Sequence, residues 1–474
     1  MASVLDRPEE QTDDAKEIAA MIERARTAQA QIADYTQEQV DQLITAIVWS
    51  VAKPGVAEDI ATHTVEETQL GNYQGKFLKI SVKTRATLHD IIDDKSVGII
   101  EELPERNIVK IAKPVGVIGA LSPSTNPEAT PVIKAIHAIK GRNAIIIAPH
   151  PRAKLTNKKI VDIMRDAIVK MGAPADLVQG IEIPSVNKTN ELMEQCDRVL
   201  ATGGSAMVTA AYSSGTPALG VGVGNAVIVV DDTADLADAA EKIRISKTLD
   251  NAASCSSDNS VVLFDAIYDE MLEKLKGEGG MVLDAGQKEK LQGAIWEDGH
   301  INAKIVAQTA QFIGDYAGFE VADDVKFFIV PETGAGKEFP FSGEKMTVTM
   351  ALYRVNDIDE AVALTNKIQA YQGQGHSCGI YSNNDDNIMT FANGTRTSRV
   401  MVNQPQSPSN SGNLWNGMRQ TFSLGCGSWG GNGTNNNITW RDLINETWVS
   451  RPLSTPKTLP DDEKLFGKEI MERI

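Results

Sequence analysis

Cys255 stands in DNAASCSSDNS, a polar loop between an amphipathic stretch and a β-branched run. Its small neighbours leave the sulfur open to a cleft, and a thiolate is a strong nucleophile even when sparsely populated, so this residue can attack an electrophilic carbon. Loop cysteines at large are more often incidental or buried, and the surroundings must decide. Asn126, in SPSTNP, brings a side-chain amide to the end of an apolar run. There it can donate to a developing oxyanion or, equally, cap a helix opening at Pro127. ATGGSA, residues 201–206, sets a short glycine turn before a helical stretch, where a phosphate or a nicotinamide ring can be received. GVGVGN, Gly220 to Asn225, allows close backbone approach but leads into a strand, so it is no ordinary dinucleotide fingerprint.

The elements that must position these groups alternate. Residues 15–30 and 36–52 carry apolar side chains at helical spacing and read as an N-terminal helical cap. From Ile108 the texture changes to β-branched runs separated by helical stretches. Strands are expected over 115–121, 144–148, 179–183, 198–201 and 225–230, with helices over 127–140, 155–171, 188–195 and 205–213. A second unit follows from about residue 234, with strands over 260–265, 324–330, 347–355 and 378–382 and helices over 236–248 and 358–370. Such alternation predicts two doubly wound parallel α/β domains, with ligands at the carboxyl ends of the strands. Residues 403–437 read as a loop rich in Asn, Gly and Ser.

The 474 residues carry 46 Lys+Arg against 63 Asp+Glu, a formal charge of −17 that argues against a nucleic-acid or anionic-membrane partner. No basic start precedes an apolar stretch, so no secretory signal is expected and the cytoplasm is the expected setting. The four cysteines are scattered without CxxC pairing, and the six histidines show no ligand spacing, so neither disulfides nor a metal is expected.

KPVGVIGALSPSTNP, RVLATGGSAMVTAAYSSGTPALGVGVGN, SKTLDNAASCSSDNSVV, GEKMTVTMALYRV and SLGCGSWGGN resemble, in order and spacing, the acylating, coenzyme A-dependent aldehyde dehydrogenases. The resemblance implies a cofactor-binding domain over 1–95 and 113–235, a thiol domain over 236–431, an oligomerisation arm from 96–112 and 432–452, and a tail over 453–474. It implies a homodimer or homotetramer. It also implies that Cys255 is the nucleophile and that Asn126 holds the oxyanion. Ser122, Pro123, Ser124, Thr125, Thr202, Gly203, Gly204, Ser205 and Gly222 are implied along the dinucleotide. His150, Pro151 and Arg152 of PHPRAK are implied beside the adenine ribose, and Glu344 on the nicotinamide ribose. Hydrolytic relatives carry a water-activating glutamate where this chain has Gly220, which implies acyl transfer to coenzyme A instead of hydrolysis.

His376, in GQGHS, matches a histidine of acylating members and is expected near the coenzyme A thiol or as a structural residue. The sequence as a whole, including residues 16–43, is similar to acylating enzymes acting on sulfoacetaldehyde, and the loop of acetaldehyde-type relatives is replaced by the polar stretch 403–431. Arg419 within it is the expected partner of an anionic substrate tail, since a guanidinium grips sulfonate or carboxylate oxygens in a fork. Acetaldehyde and succinate semialdehyde are the alternatives. Ala153 stands where NAD-using relatives often carry a carboxylate for the ribose 2′-hydroxyl, and Arg152 and Lys154 flank it. NADP or NAD is therefore the expected cofactor.

Overall fold

The structure, a computed structural model, describes residues 12–474. The helical start is built as its periodicity demands. Asp13–Gln31 buries Ile18, Met21, Ile22, Ala25 and Ala28 on one stripe, and Thr12 caps it by accepting from the Ala15 N–H. Gln37–Ala52 opens with a reciprocal capping box between Thr36 and Gln39. The first helix packs on a five-stranded sheet, and the second on helices Thr130–Lys140 and Lys154–Lys170. The sheet order is Val178–Gly180, Ala144–Pro149, Val117–Ser122, Arg198–Thr202, Ala218–Val221, every pair parallel. Val117–Ser122 and Ala144–Pro149 are buried at every position, as strands covered on both faces must be. Chain order reverses between Val117–Ser122 and Arg198–Thr202, and the segments leaving these two strands open a crevice there.

The second sheet has seven parallel strands, in the order Gly280–Val282, Phe327–Pro331, Thr349–Val355, Asp258–Phe264, Ala226–Val230, Cys378–Tyr381, Val400–Val402. Ala226–Val230 lies inside it, paired to Asp258–Phe264 and Cys378–Tyr381, so the boundary expected at residue 235 falls instead before Ala226. All five of its residues are buried and apolar, and only a central strand position covers them on both faces. Ala218–Val221, read from sequence as part of a glycine loop, is an edge strand of the first sheet. Gly280–Val282, Val400–Val402 and helix Asp385–Gly394 carry too little periodicity to have been read at all.

Gly98–Leu103 and Ile108–Pro114 pair antiparallel, and Ile444–Ser450 joins the latter to make a three-stranded arm. Trp440 and Leu443, just before that last strand, are buried in the core of the first sheet, so the arm is rooted there. The tail ends in two short helices, Asp462–Phe466 and Lys468–Arg473, with no buried residue.

Candidate active site

One cavity of about 710 Å³ runs between the two sheets. Its first wall is the carboxyl-end crevice of the five-stranded sheet: Ser122, Pro123, Ser124, Thr125 and Asn126 after one strand, Thr202, Gly203 and Gly204 after its neighbour, and His150 and Pro151 after a third. The opposite wall comes from amino ends. Gly222 and Gly224 precede Ala226–Val230, Cys255 precedes Asp258–Phe264, and Glu344 precedes Thr349–Val355. The rule that ligands meet carboxyl ends therefore holds for one sheet only. Of the expected residues, Ser205, Arg152, His376 and Arg419 are not on the wall.

Cys255 is half-buried, and its loop is fixed by unusual means. Asp250, Asn251 and Ala252 all take left-handed backbone angles (φ 49, 51 and 64°), a run that costs L-residues energy and persists only where surroundings impose it. Here an ion cluster imposes it. Asp250 Oδ2 accepts from Lys76 Nζ at 2.8 Å and Lys79 Nζ at 2.5 Å, and its Oδ1 accepts from the Asn72 N–H at 2.8 Å. Gly71 and Gly75 lie so close that a Cβ on either would stand 1.9 and 2.5 Å from Asp250 atoms. Burial alone would raise the Asp250 carboxyl, but Lys79 and Lys76 overcome it and hold the group below the ordinary carboxylate range. On the far side, Gly224 packs on the Cys255 carbonyl, where a Cβ would come within 1.9 Å of the oxygen.

The same lysines fix the oxyanion donor. Lys79 Nζ donates to Asn126 Oδ1 at 2.5 Å and Lys76 Nζ to the Thr125 carbonyl at 2.5 Å. With Oδ1 occupied, the Asn126 amide is left with its N–H groups to give. Burial, then Glu344, pushes the Cys255 thiol up to about 12. Burial likewise pushes Glu344 up to about 8, and Glu344 is the one carboxylate on the cavity wall among the described residues. Gly220 donates its N–H to Tyr212 Oη at 2.9 Å, and a Cβ there would meet the Tyr212 ring and Val208 at 2.7 Å. That position has no room for an acidic side chain without repacking.

The expectation for Arg419 needs correction, and of the two alternatives for His376 the structure favours the structural one. Arg419 is held by Asp90, 3.3 Å from its Nε, and by Asp94, to which its Nη2 donates. Two carboxylates at that spot satisfy the guanidinium away from the cavity. His376 is buried behind the wall, its Nδ1 2.8 Å from Ser377 Oγ. Burial and Arg399 push its imidazole down to about 3, so it is neutral at any working pH. Arg399 is itself buried and gives its N–H groups to Asn437 Oδ1 and to the carbonyls of His376, Gly425, Asn435 and Asn436, locking residues 425–437 against the second sheet. Arg152 reaches outward to the Ala303 carbonyl, and Ser205 is exposed at the first turn of its helix.

Residues that sequence reading missed are Lys76, Lys79 and Asp250, and the wall segment Leu78, Lys79, Val82, Lys83 and Ala86 opposite Trp415 and Phe422. A dinucleotide suits the first wall. Ser122 Oγ and Thr202 Oγ1 are buried there without hydrogen-bond partners among the described residues, and Gly204 has open space where a Cβ would be.

The profile of the aldehyde dehydrogenase family matches residues 9–307. A sulfoacetaldehyde dehydrogenase from an Acholeplasma species is 44% identical over 456 residues, covering 95% of this chain and 94% of that one. The acylating sulfoacetaldehyde dehydrogenase of Cupriavidus necator is 40% identical, with 96% and 92% covered. Among solved structures, an acetylating aldehyde dehydrogenase from Geobacillus thermoglucosidasius superposes with a TM-score of 0.90 at 35% identity, covering 94% of this chain and 98% of that one.

Proposed function

The chain belongs to the aldehyde dehydrogenase family, in its acylating, coenzyme A-dependent branch, and on that premise we propose that it oxidises sulfoacetaldehyde reversibly to sulfoacetyl-coenzyme A. The observation that carries the reading is a single cavity that, among the described residues, joins one thiol, a fixed side-chain amide and no carboxylate other than Glu344. Cys255 adds across the aldehyde carbonyl, its sulfur to carbon and its proton to oxygen. Asn126, with the backbone N–H of Cys255, receives the charge that gathers on that oxygen. The nicotinamide of NADP or NAD supplies the hydride acceptor when bound. Cys255 is left holding an acyl thioester once the carbon has lost hydride and the oxygen its proton. With glycine at position 220 no base activates water, and Cys255 passes the acyl group to the coenzyme A thiol and regains its own proton. Ser122, Thr202 and the Gly203–Gly204 turn would hold the dinucleotide phosphates and nicotinamide, His150 and Pro151 the adenosine end, and Glu344 the nicotinamide ribose.

The first sheet with its helices is the cofactor domain in this reading and the second the thiol domain. The arm joins copies into a homodimer or homotetramer, presenting Ile99 and Trp448, both exposed, to a partner. The cytoplasm is the proposed setting; among the described residues no helix is long and apolar enough to cross a membrane. The test is NADPH or NADH formation from a panel of aldehydes with and without coenzyme A. Sulfoacetaldehyde oxidation that needs coenzyme A is expected. Free acid formed at the same rate without it would sink the acylating step, and a preference for acetaldehyde would sink the substrate.

A further inference from the structure

The cavity has a second region, away from the dinucleotide wall, made by one face of the continuous helical stretch from Tyr73 to Ile91. Leu78, Lys79, Val82, Lys83 and Ala86, spaced to share one helix face, line it, and Lys79–Lys83 is wound as a π-helix. Lys79 marks its inner end through the Asn126 amide. Lys83 lies one turn further along the helix. Its Nζ donates to the carbonyls of Ser411 and Gly412 at 2.7 and 2.6 Å and to Gln420 Oε1 at 2.5 Å, and it stands 5.7 Å from the Phe422 ring centroid. All three acceptors are neutral. The nearest carboxylate, Asp90, is already engaged by Arg419 and by the Gln420 N–H at 2.9 Å. Lys79, the other cation on the wall, is committed to Asp250. Among the described residues Lys83 thus has three neutral acceptors and no carboxylate of its own, one turn along the helix from Lys79, and an anion would take the place of one of those acceptors. A part-buried ammonium of this kind gains when an opposite charge replaces a neutral partner.

We infer that Lys83, with the Gln420 amide beside it, recognises the anionic tail of a short aldehyde, sulfonate or carboxylate, and that Arg419 acts only by neutralising Asp90. The inference rests on the reading of the previous section that the substrate is an anionic aldehyde. Lys83 touches the tail and not the reacting atoms, so it sets specificity and not chemistry. Burial presses the Lys83 ammonium down to about 7, and an anion bound beside it would raise it again.

The experiment compares sulfoacetaldehyde, succinate semialdehyde and propionaldehyde on the full chain with coenzyme A and cofactor, for the wild type, Lys83→Met and Lys83→Arg. Lys83→Met is expected to lower kcat/KM for sulfoacetaldehyde about 10- to 100-fold, mainly through KM, as loss of a hydrogen bond to a charged group does. Propionaldehyde oxidation by the same protein, expected to change by less than about threefold, reports that the fold and the thiol chemistry survive. Lys83→Arg is expected to recover much of the loss. Equal losses for charged and neutral aldehydes would make Lys83 merely structural and overturn the inference. A loss confined to succinate semialdehyde would overturn the short tail. If the wild type prefers the anionic aldehydes and Lys83→Met prefers them as strongly, the Lys83 assignment alone falls. If the wild type shows no such preference, the substrate reading falls and takes this inference with it.

Discussion

At the scale of single residues, the thiol is an unreactive one as it stands. Burial holds Cys255 protonated near pH 7, and Glu344 adds to this once ionised. The sign follows from Glu344 itself. Below its value of about 8 it is neutral and cannot oppose thiolate formation; above that, its charge does. Iodoacetamide should therefore alkylate Cys255 faster in Glu344→Gln than in the wild type above pH 8, with the two rates converging below pH 7. Coincident profiles throughout would show that the carboxylate does not reach the sulfur. Cys255→Ala should lose activity by a factor of about 10³ or more. Asn126→Ala should lose about 10²- to 10³-fold in kcat with little change in KM, as removal of an oxyanion donor does. Cys255 and Asn126 were legible because each stands in a compact local motif. Lys83 was not, because a lysine on an amphipathic helix looks like any solvated lysine, and its partners Ser411, Gly412 and Gln420 lie more than 300 positions away. Arg419 misled for the converse reason: its two carboxylates, Asp90 and Asp94, are equally remote in sequence.

Among elements, the clearest case is the segment from Leu249 to Ala252, which turns from helix Leu236–Thr248 into the cysteine loop through left-handed residues. Its sequence marks it only weakly: none of the three is glycine, although Asp and Asn tolerate left-handed angles better than other residues. What imposes the conformation is Asp250 clasped by Lys76 and Lys79. Removing the Asp250 charge leaves Lys79 without its carboxylate and Lys76 with Glu128 alone, 3.9 Å away, so Asp250→Asn should destabilise the protein by about 3–5 kcal/mol, read as a lowered denaturant midpoint. An unchanged midpoint would mean that the loop holds itself. Helices with caps and long apolar strands were visible in the sequence. Helix Leu236–Thr248 and its N-cap Asp235, for example, coincide with the expected 236–248. Short edge strands such as Val400–Val402 owe their form to pairing with a neighbour and had no pattern of their own.

For the molecule as a whole, the formal charge of −17 sets it against the ligands proposed for it, since coenzyme A, NADP or NAD and a sulfonate are all anions. Like-charge repulsion is screened by salt. Association of coenzyme A, followed by stopped flow, should therefore quicken as ionic strength rises; a slowing would show that local cations outweigh the overall field at the cavity mouth. The arm makes a parallel claim on assembly. Ile99→Lys should shift the sedimentation coefficient toward a smaller species if that surface joins copies. The contacts at Asp250 reach further than stability. They tie residues 71–79, which belong to the half proposed to bind the cofactor, to residues 250–255 ahead of the second sheet's strand Asp258–Phe264, through Gly71, Gly75, Lys76, Lys79 and Asp250. A chimera that draws its two halves from different parents must inherit those five positions from one of them. Any crossover between residues 80 and 249 that mixes them would assemble two sound sheets around a nucleophile out of place.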